Sequence, residues 1–409
     1  MRYLIIICLL FTQCMQAQMS VIDQAIVDIT SVIRHDVFSA PAASRIYAYT
    51  TIAGNIGMSG NSDLPTPLRS KLVLSSGVSP SDTLAAMAMY VCAQRFIYSD
   101  SMLLEKCKKR LGSEIITSQY FMEAQTINAS MADWINADNY TNAIASTRYT
   151  PLKGSLNWVP TPPDYAQGTD PHWGEIMPFC YKYDKSILPV PAFVLDSTVI
   201  AKEAQKLYVL TMSLDSEQME IALFWDDNPF ILRQNGHLQY AEKKVSPPGH
   251  WLDITRMALL ATGADETAAM NAYMLVSIAM ADAMIAVWDI KYETQLIRPE
   301  TYINTYIDSE WRPYLQTPPF PEFPSGHSAV SAAAATILTS LFGDNFAFTD
   351  ATETTFGLPA RGFKSFEDAA SEASQSRVYG GIHFVPAVTY GAELGKNSAF
   401  ELINITNRR

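Results

Sequence analysis

Three short segments in the second half of the chain contain the residue types that bind an oxyanion. They are Lys291 with Arg298, the turn Pro324-Ser325-Gly326-His327, and the pair Arg377 and His383. Three cations, a hydroxyl group, a glycine N–H and two imidazoles form a donor set that suits a phosphate-shaped ion. The imidazoles add a nucleophile or ligand and a group that can exchange protons near neutral pH.

The spacing within the segments indicates how a fold brings these groups together. Lys291 and Arg298 are seven residues apart, close to two helical turns, so both project from one face of a helix. Such a pair alone is a solvated cationic stripe as often as it is part of a binding site. Arg377 and His383 are separated by two glycines, which predicts a bent segment that aims both side chains at one point.

The turn at Ser325 precedes an alanine-rich helical pattern over residues 329–342. Pro321, Pro324 and Gly326 indicate a rigid turn at the start of that helix, where free N–H groups and the positive end of the helix dipole bind anions. A turn or a single histidine is usually structural. The three segments together favour one shared site.

Composition limits the classes of protein. The 409 residues are 48% hydrophobic, which supports a large core, and the formal net charge of -12 argues against nucleic-acid binding. Residues 1–18 predict a signal peptide, since the apolar run 4–11 is too short to cross a bilayer. We therefore expect an exported protein, periplasmic or secreted. Lipid anchoring through Cys14 is disfavoured because Gln13 replaces the usual small residue.

Helical periodicity dominates the chain, and alternating strand patterns are scarce, which predicts an all-α fold. Helices are predicted over residues 21–34, from an N-cap at Ser79 to Phe96, and over 114–134, 199–212, 216–225 and 267–296. Residues 150–195 predict a long ordered loop. We divide the chain into a signal peptide at residues 1–18, an N-terminal helical lobe with the long loop at 19–195, and the helical domain that carries the site at 196–409. Asp282 and Asp289 interrupt the 267–296 pattern, so it predicts a buried central helix rather than a membrane span.

Three motifs carry a resemblance to a known family: Lys-x6-Arg-Pro, Pro-Ser-Gly-His and Ser-Arg-x5-His, in this order. Together they resemble the signature of the type 2 phosphatidic acid phosphatase and vanadium haloperoxidase superfamily. The match is strong over about residues 255–400. Segments 44–49, 171–174, 225–229 and 248–251 resemble the bacterial haloperoxidase branch more loosely.

The resemblance implies a helix bundle with an additional N-terminal helical lobe and assigns roles to the site residues. Lys291, Arg298, Arg377, Ser325 and the Gly326 N–H would hold the equatorial oxygens of vanadate or phosphate. His383 would be the axial vanadium ligand or the phosphatase nucleophile. His327 would be the general acid and base, and Phe320 is a candidate for tuning access of the halide.

One position departs from the family pattern. An Asp commonly follows the second histidine by four residues and supports it, whereas this chain has Ala387. Loss of the carboxylate should make His383 a weaker nucleophile or ligand unless another group replaces the carboxylate. Asp226 or Asp227 could do so, although a solvated helix end is the more ordinary interpretation of that pair.

Two activities fit the motifs. The first is a vanadium-dependent haloperoxidase that binds vanadate and uses hydrogen peroxide to oxidise a halide. The second is an exported acid phosphatase with a phosphohistidine intermediate, no cofactor and a phosphoester substrate. The additional lobe and the local sequences around Phe320 and His383 resemble bacterial haloperoxidases and favour the haloperoxidase activity. A phosphate-binding protein without catalysis is a third hypothesis, which retention of both His327 and His383 opposes.

Overall fold

The computed structural model describes residues 19–407, apart from 73–78, 147–148, 187, 192–193, 195, 230 and 236. The predicted signal peptide and Cys14 therefore lie outside the described residues. The helices are α1 Val21–His35, α2 Ala40–Ser59, α3 Thr66–Arg69, α4 Asp82–Ala93, α5 Asp100–Leu111, α6 Gln119–Ser130, α7 Ala132–Ala137, α8 Tyr140–Ala145, α9 Ser197–Thr211, α10 Ser216–Phe224, α11 Pro247–Thr262, α12 Glu266–Thr294, α13 Pro299–Tyr306, α14 Gly326–Phe342, α15 Phe366–Tyr379 and α16 Val385–Asn407.

Short elements complete the fold. The 3₁₀ helices are Ser113–Thr117, Trp173–Glu175 and Thr352–Phe356. Two antiparallel hairpins pair β1 Ile231–Asn235 with β2 Leu238–Glu242, and β3 Phe348–Asp350 with β4 Arg361–Phe363. The architecture is an all-α bundle, as the sequence predicts.

Helix α12 is the central helix of this bundle. It packs against α2, α14 and α16, and alanines such as Ala279 and Ala283 allow the close approach of its neighbours. By length and composition α12 could cross a membrane, but 94% of its most apolar window is buried inside the protein. The prediction of a buried central helix is confirmed.

Two predicted helix boundaries change in the structure. Helix α4 begins at Asp82, not after Ser79, because the Ser81 side chain caps it by accepting from the N–H of Leu84 at 3.1 Å. The single helix predicted over 114–134 is divided into a 3₁₀ turn, α6 and α7. Ser118 caps α6 and so interrupts the helix.

Helix α2 is absent from the predicted set, although it has 20 residues. It is buried on nearly every side, so it has no polar face, and periodicity cannot reveal it. A continuous hydrophobic core joins residues from both predicted parts of the chain, and the division near residue 195 stays a prediction. Cys92, Cys107 and Cys180 are free thiols.

The bundle brings the three sequence segments to one place. Lys291 lies in the last turn of α12, and Ser325 caps α14. The prediction that Lys291 and Arg298 share one helix face is wrong, because α12 ends at Thr294 and Arg298 stands just before α13. Gly391 of α16 allows the turn at Ser325 to pack closely, because a Cβ there would lie 2.5 Å from the carbonyl oxygen of Ser325.

Candidate active site

Four of the seven predicted site residues line one cavity of about 330 Å³, and the other three lie behind that lining. Its lining includes Gly326, His327, Arg377 and His383, together with Trp288 and Phe320. Lys291, Arg298 and Ser325 are fully buried and lie against these lining residues. The structure thus brings together all seven residues that the sequence assigned to an oxyanion site.

Arg298 is fixed by carbonyl oxygens and keeps one nitrogen free. Its Nε donates to the Phe320 carbonyl at 2.7 Å, and one terminal nitrogen, Nη1, donates to the Ile382 carbonyl at 2.9 Å. The same Nη1 lies 3.3 Å from Nε2 of His383. The other terminal nitrogen, Nη2, is buried without a partner. Burial lowers the pKa of Arg298 to about 9, so the guanidinium remains charged at neutral pH.

Arg377 is held in the same manner from the opposite side. Its Nη1 donates to the carbonyl oxygens of Trp225 at 2.7 Å and Asp226 at 3.4 Å, while Nε has no partner. Both arginines therefore have their direction set by backbone carbonyls. Each retains one buried N–H for a ligand.

Lys291 contributes the third cation. Its Nζ donates to the carbonyl oxygens of Pro321 at 2.8 Å and Glu322 at 3.1 Å, and it lies 5.1 Å from the ring centre of Phe320. Burial and the neighbouring Arg298 lower the pKa of Lys291 well below its ordinary value. An anion bound here would favour the charged ammonium.

The start of α14 supplies neutral donors and an imidazole. The Ser325 hydroxyl accepts from the N–H of Ser328 at 3.3 Å, which caps the helix, and Gly326 is its first residue. His327 follows, with Nε2 unpartnered and a backbone hydrogen bond to Asp226. That bond must therefore use Nδ1, which leaves a lone pair on Nε2.

His383 is supported by a carboxylate that the sequence analysis missed. Its Nδ1 lies 2.9 Å from Oε1 of Glu322, which also accepts from the N–H of Phe384 at 2.9 Å. Nδ1–H donates to the carboxylate, so Nε2 presents a lone pair. Burial, followed by the charges of Arg298 and Lys291, lowers the pKa of His383 well below its ordinary value and keeps it neutral.

Glu322 thus takes the place of the carboxylate that Ala387 lacks. Asp226 and Asp227 do not, because Asp226 lies 3.7 Å from Nζ of Lys244 and Asp227 is paired with another histidine, His250. Both are buried, so a solvated helix end is also wrong. The sequence did contain a signal, since Glu322 is the carboxylate of the Pro-Glu-Phe-Pro segment just before Ser325.

His250 forms a second buried cluster next to the site. Its Nδ1 lies 2.8 Å from Oδ1 of Asp227, and its Nε2 lies 2.7 Å from Oδ2 of Asp350. The indole of Trp225 stacks on the imidazole with ring centres 4.6 Å apart. Burial opposes charge on His250, but the two carboxylates outweigh it and raise its pKa well above the ordinary value.

The cavity fits a tetrahedral oxyanion such as vanadate. Three buried polar atoms around it have no partner: Nη2 of Arg298, Nε of Arg377 and Nε2 of His327. The two arginine N–H groups are unpaired buried donors, which are costly, and the oxygens of an anion would satisfy them, whereas Nε2 of His327 would accept from a hydroxyl group of the bound ion. The lone pair of His383 Nε2 is available to its central atom.

Comparisons with known proteins agree with this geometry. The model of the family described as the VCPO second helical-bundle domain matches residues 271–408. The structure of a bacterial vanadium-dependent iodoperoxidase is 36% identical, with a TM-score of 0.82, and the match covers 94% of this chain and 95% of that one. Holo and apo structures of bacterial vanadium-dependent chloroperoxidase, 15% and 13% identical, share the fold. Their TM-scores are 0.65 and 0.62, and the matches cover 96% and 97% of this chain and 94% and 96% of theirs. A search of curated proteins found no match.

The likeness to the iodoperoxidase extends over nearly the whole of both chains. The family model falls on the part of the chain that holds all three site segments. The chain belongs to the vanadium haloperoxidase superfamily.

Proposed function

We propose that this enzyme binds vanadate in the cavity and uses hydrogen peroxide to oxidise a halide, iodide included. The unpartnered nitrogens of Arg298, Arg377 and His327 around one cavity are the observation that carries the proposal. Iodide is proposed because the 36% identical relative is described as an iodoperoxidase. When bound, vanadate would act as a Lewis acid that activates peroxide without a change in oxidation state.

Charge balance assigns the binding roles. Arg298 and Arg377 would each donate their free N–H to oxygens of the bound ion, and Lys291 would add a third positive charge. The Ser325 hydroxyl and the Gly326 N–H lie at the positive end of α14, where donors to an anion are already oriented. These groups need little reorganisation, since backbone carbonyls and caps fix them in advance.

The two histidines divide the remaining work. His383 would bind the central atom through Nε2, because its Nδ1–H donates a hydrogen bond to Glu322. His327 is neutral, since burial and Arg377 lower its pKa well below the ordinary value. Its Nε2 can therefore accept a proton from peroxide and return it to a departing oxygen.

The wall beside the cations is aromatic. The ring centres of Trp288 and Phe320 are 5.1 Å apart, and Phe320 also lies 4.9 Å from the guanidinium of Arg298. We propose that this pair limits water and sets the space open to the halide. A polarisable anion such as iodide suits such an aromatic boundary next to fixed cations.

The test uses apo protein purified without phosphate and assayed with and without orthovanadate. Peroxide-dependent oxidation of iodide and bromide is measured beside hydrolysis of an aryl phosphate. We expect iodide oxidation only with vanadate, and its loss in His383→Ala and His327→Ala. His172→Ala, a partly exposed histidine paired with Glu175, is the matched control and should retain activity.

The same assay addresses the acid phosphatase alternative. The lone pair on His383 Nε2 would also attack phosphorus, and His327, once protonated at Nε2, would give that proton to the leaving oxygen. Phosphate release that vanadate inhibits, without halide oxidation, would replace the peroxidase proposal. Oxyanion binding with neither reaction, unchanged in His327→Ala, would indicate a binding protein.

Export remains a separate proposal. It is supported by the arginine at position 2, the apolar run 4–11 and the polar residues that follow. N-terminal sequencing of protein recovered from the periplasm or medium should find a mature chain that begins near residue 18 or 19. An intact Met1 in protein recovered from the cytosol would contradict it.

A further inference from the structure

Outside the oxyanion site, three buried metal-ligand groups converge. Asp227, His250 and Glu353 each offer one ligand atom, and these atoms lie within 4.8 Å of one another. They come from separate elements: the turn after α10, helix α11 and the 3₁₀ helix Thr352–Phe356. Groups distant in sequence are held here at one point in the interior.

Glu353 lacks the partners that a buried carboxyl group requires. Its side chain is 0% exposed, and neither oxygen has a hydrogen-bond partner. An ionised carboxylate left in this state is very unfavourable. Burial raises its pKa to about 8, yet a protonated carboxyl would still lack an acceptor for its hydrogen. The chain itself does not satisfy this group.

His250 has the orientation of a supported metal ligand. Its Nε2 lies 2.7 Å from Oδ2 of Asp350, whose other oxygen accepts from the N–H of Thr352 at 2.9 Å. Its Nδ1 points towards Asp227 at 2.8 Å. Metal-bound histidines commonly donate their second N–H to a carboxylate in this way.

We propose that Asp227, His250 and Glu353 bind one divalent cation of the zinc class, with Asp350 orienting the imidazole. One imidazole and two carboxylates suit such an ion and leave a fourth position for water. On binding, the hydrogen that Nδ1 shares with Asp227 and the carboxyl hydrogen of Glu353 both leave to solvent, and the ion takes the Nδ1 lone pair and a Glu353 carboxylate oxygen.

Access and charge are consistent with the site. Asp227 also lines the large cavity, which gives an ion a route from solvent. The neighbouring cation, Lys244, is paired with Asp226 at 3.7 Å rather than with any of the three ligands. The ion would tie the Trp225–Asp227 turn to α11, and carbonyls of that turn hold Arg377. It would therefore brace the oxyanion site without taking part in the reaction.

The first test is calorimetric titration of chelator-treated full-length protein with Zn²⁺ in a phosphate-free buffer. We expect one ion per chain, and affinity lower by at least about tenfold in Glu353→Gln and Asp350→Asn. Glu300→Gln is the matched control, because Glu300 is also buried but accepts a hydrogen bond from Thr317 elsewhere. Equal Zn²⁺ affinity in Glu353→Gln and the wild type would overturn the proposal.

The second test locates the ion without a variant. Anomalous scattering at the zinc edge from Zn²⁺-soaked wild-type crystals should give a peak between Asp227, His250 and Glu353. Zn²⁺ should also raise the unfolding temperature of the wild type and not that of Glu353→Gln. A peak only at His327 and His383, or no peak, would overturn the site, whatever the outcome of the halide assay.

Discussion

Two buried histidines of this protein, His383 and His250, differ in charge state. His383 has a single carboxylate, Glu322, at Nδ1 and an arginine beside Nε2. His250 has a carboxylate at each nitrogen, Asp227 and Asp350. Burial disfavours charge on both, but the pKa of His383 is lowered and that of His250 is raised.

The difference shows that neighbours rather than burial decide what a buried histidine does. Around His383 the cations Arg298, Lys291 and Arg377 repel a proton and leave a lone pair for chemistry. Around His250 the two carboxylates retain the proton, which joins α11 to the Trp225–Asp227 turn and to β3. His383 is available to a ligand as it stands, whereas His250, with no metal ion bound, joins the elements around the site through its two carboxylate contacts.

The largest effect is expected from removal of the structural histidine. His250→Ala removes the cationic partner that the buried carboxylates of Asp227 and Asp350 share, so the free energy of unfolding should fall by about 3–5 kcal/mol. Chemical denaturation monitored by circular dichroism measures this loss, with His172→Ala as the control. The triple variant Asp227→Asn, His250→Leu, Asp350→Asn should recover part of it. A loss near zero in His250→Ala would remove the contrast between the two histidines.

The support of His383 can be weakened without emptying the pocket. Glu322→Gln keeps the shape but removes the charge that holds the hydrogen at Nδ1, so vanadate affinity should fall by about 10- to 100-fold. Activity measured as a function of vanadate concentration gives this number. Glu300→Gln tests whether loss of any buried glutamate has the same result. Unchanged vanadate affinity in Glu322→Gln would show that Glu322 does not direct the imidazole.

The pH dependence follows from the same contact. Burial raises the pKa of Glu322 to about 7. Above that pH the carboxylate accepts from Nδ1–H and leaves Nε2 of His383 free. Below it the protonated carboxyl donates to Nδ1, which moves the hydrogen to Nε2 and blocks the ligand position. Vanadate affinity should therefore rise as pH increases through about 7 in the wild type, and this rise should be absent in Glu322→Gln.

The sequence predicts well those features that depend on local order. The three motifs identify all seven residues that the structure brings together at one cavity, and the apolar run with few charges predicts α12. Glu322 was missed because its role depends on a contact 61 residues away in sequence. Asp226 and Asp227 are acidic and so could replace the missing carboxylate, yet proximity to His383 is a property of the fold that the sequence does not show.

Prediction of the fold from the sequence has similar limits. Amphipathic helices such as α1 show their apolar stripe, whereas α2 is surrounded by protein and has none. The cluster of His250, Asp350 and Glu353 assembles from elements about 100 residues apart, and short strands and 3₁₀ turns have weak sequence signals. Residues that form a site through tertiary contacts alone need the structure.

The smallest effect is expected at the aromatic wall, where it tests how far the environment of His383 is set by its cations. Phe320→Leu removes contacts with Lys291 and Arg298, each worth about 0.5–1 kcal/mol. The free energy of unfolding should fall by about 1–2 kcal/mol, the sum of the two contacts, and the ratio of iodide to bromide oxidation should change by a few-fold. Phe400→Leu, an exposed phenylalanine on α16, should change neither. An unchanged halide ratio in Phe320→Leu would assign the ring to packing the cations and leave halide choice to the cavity as a whole.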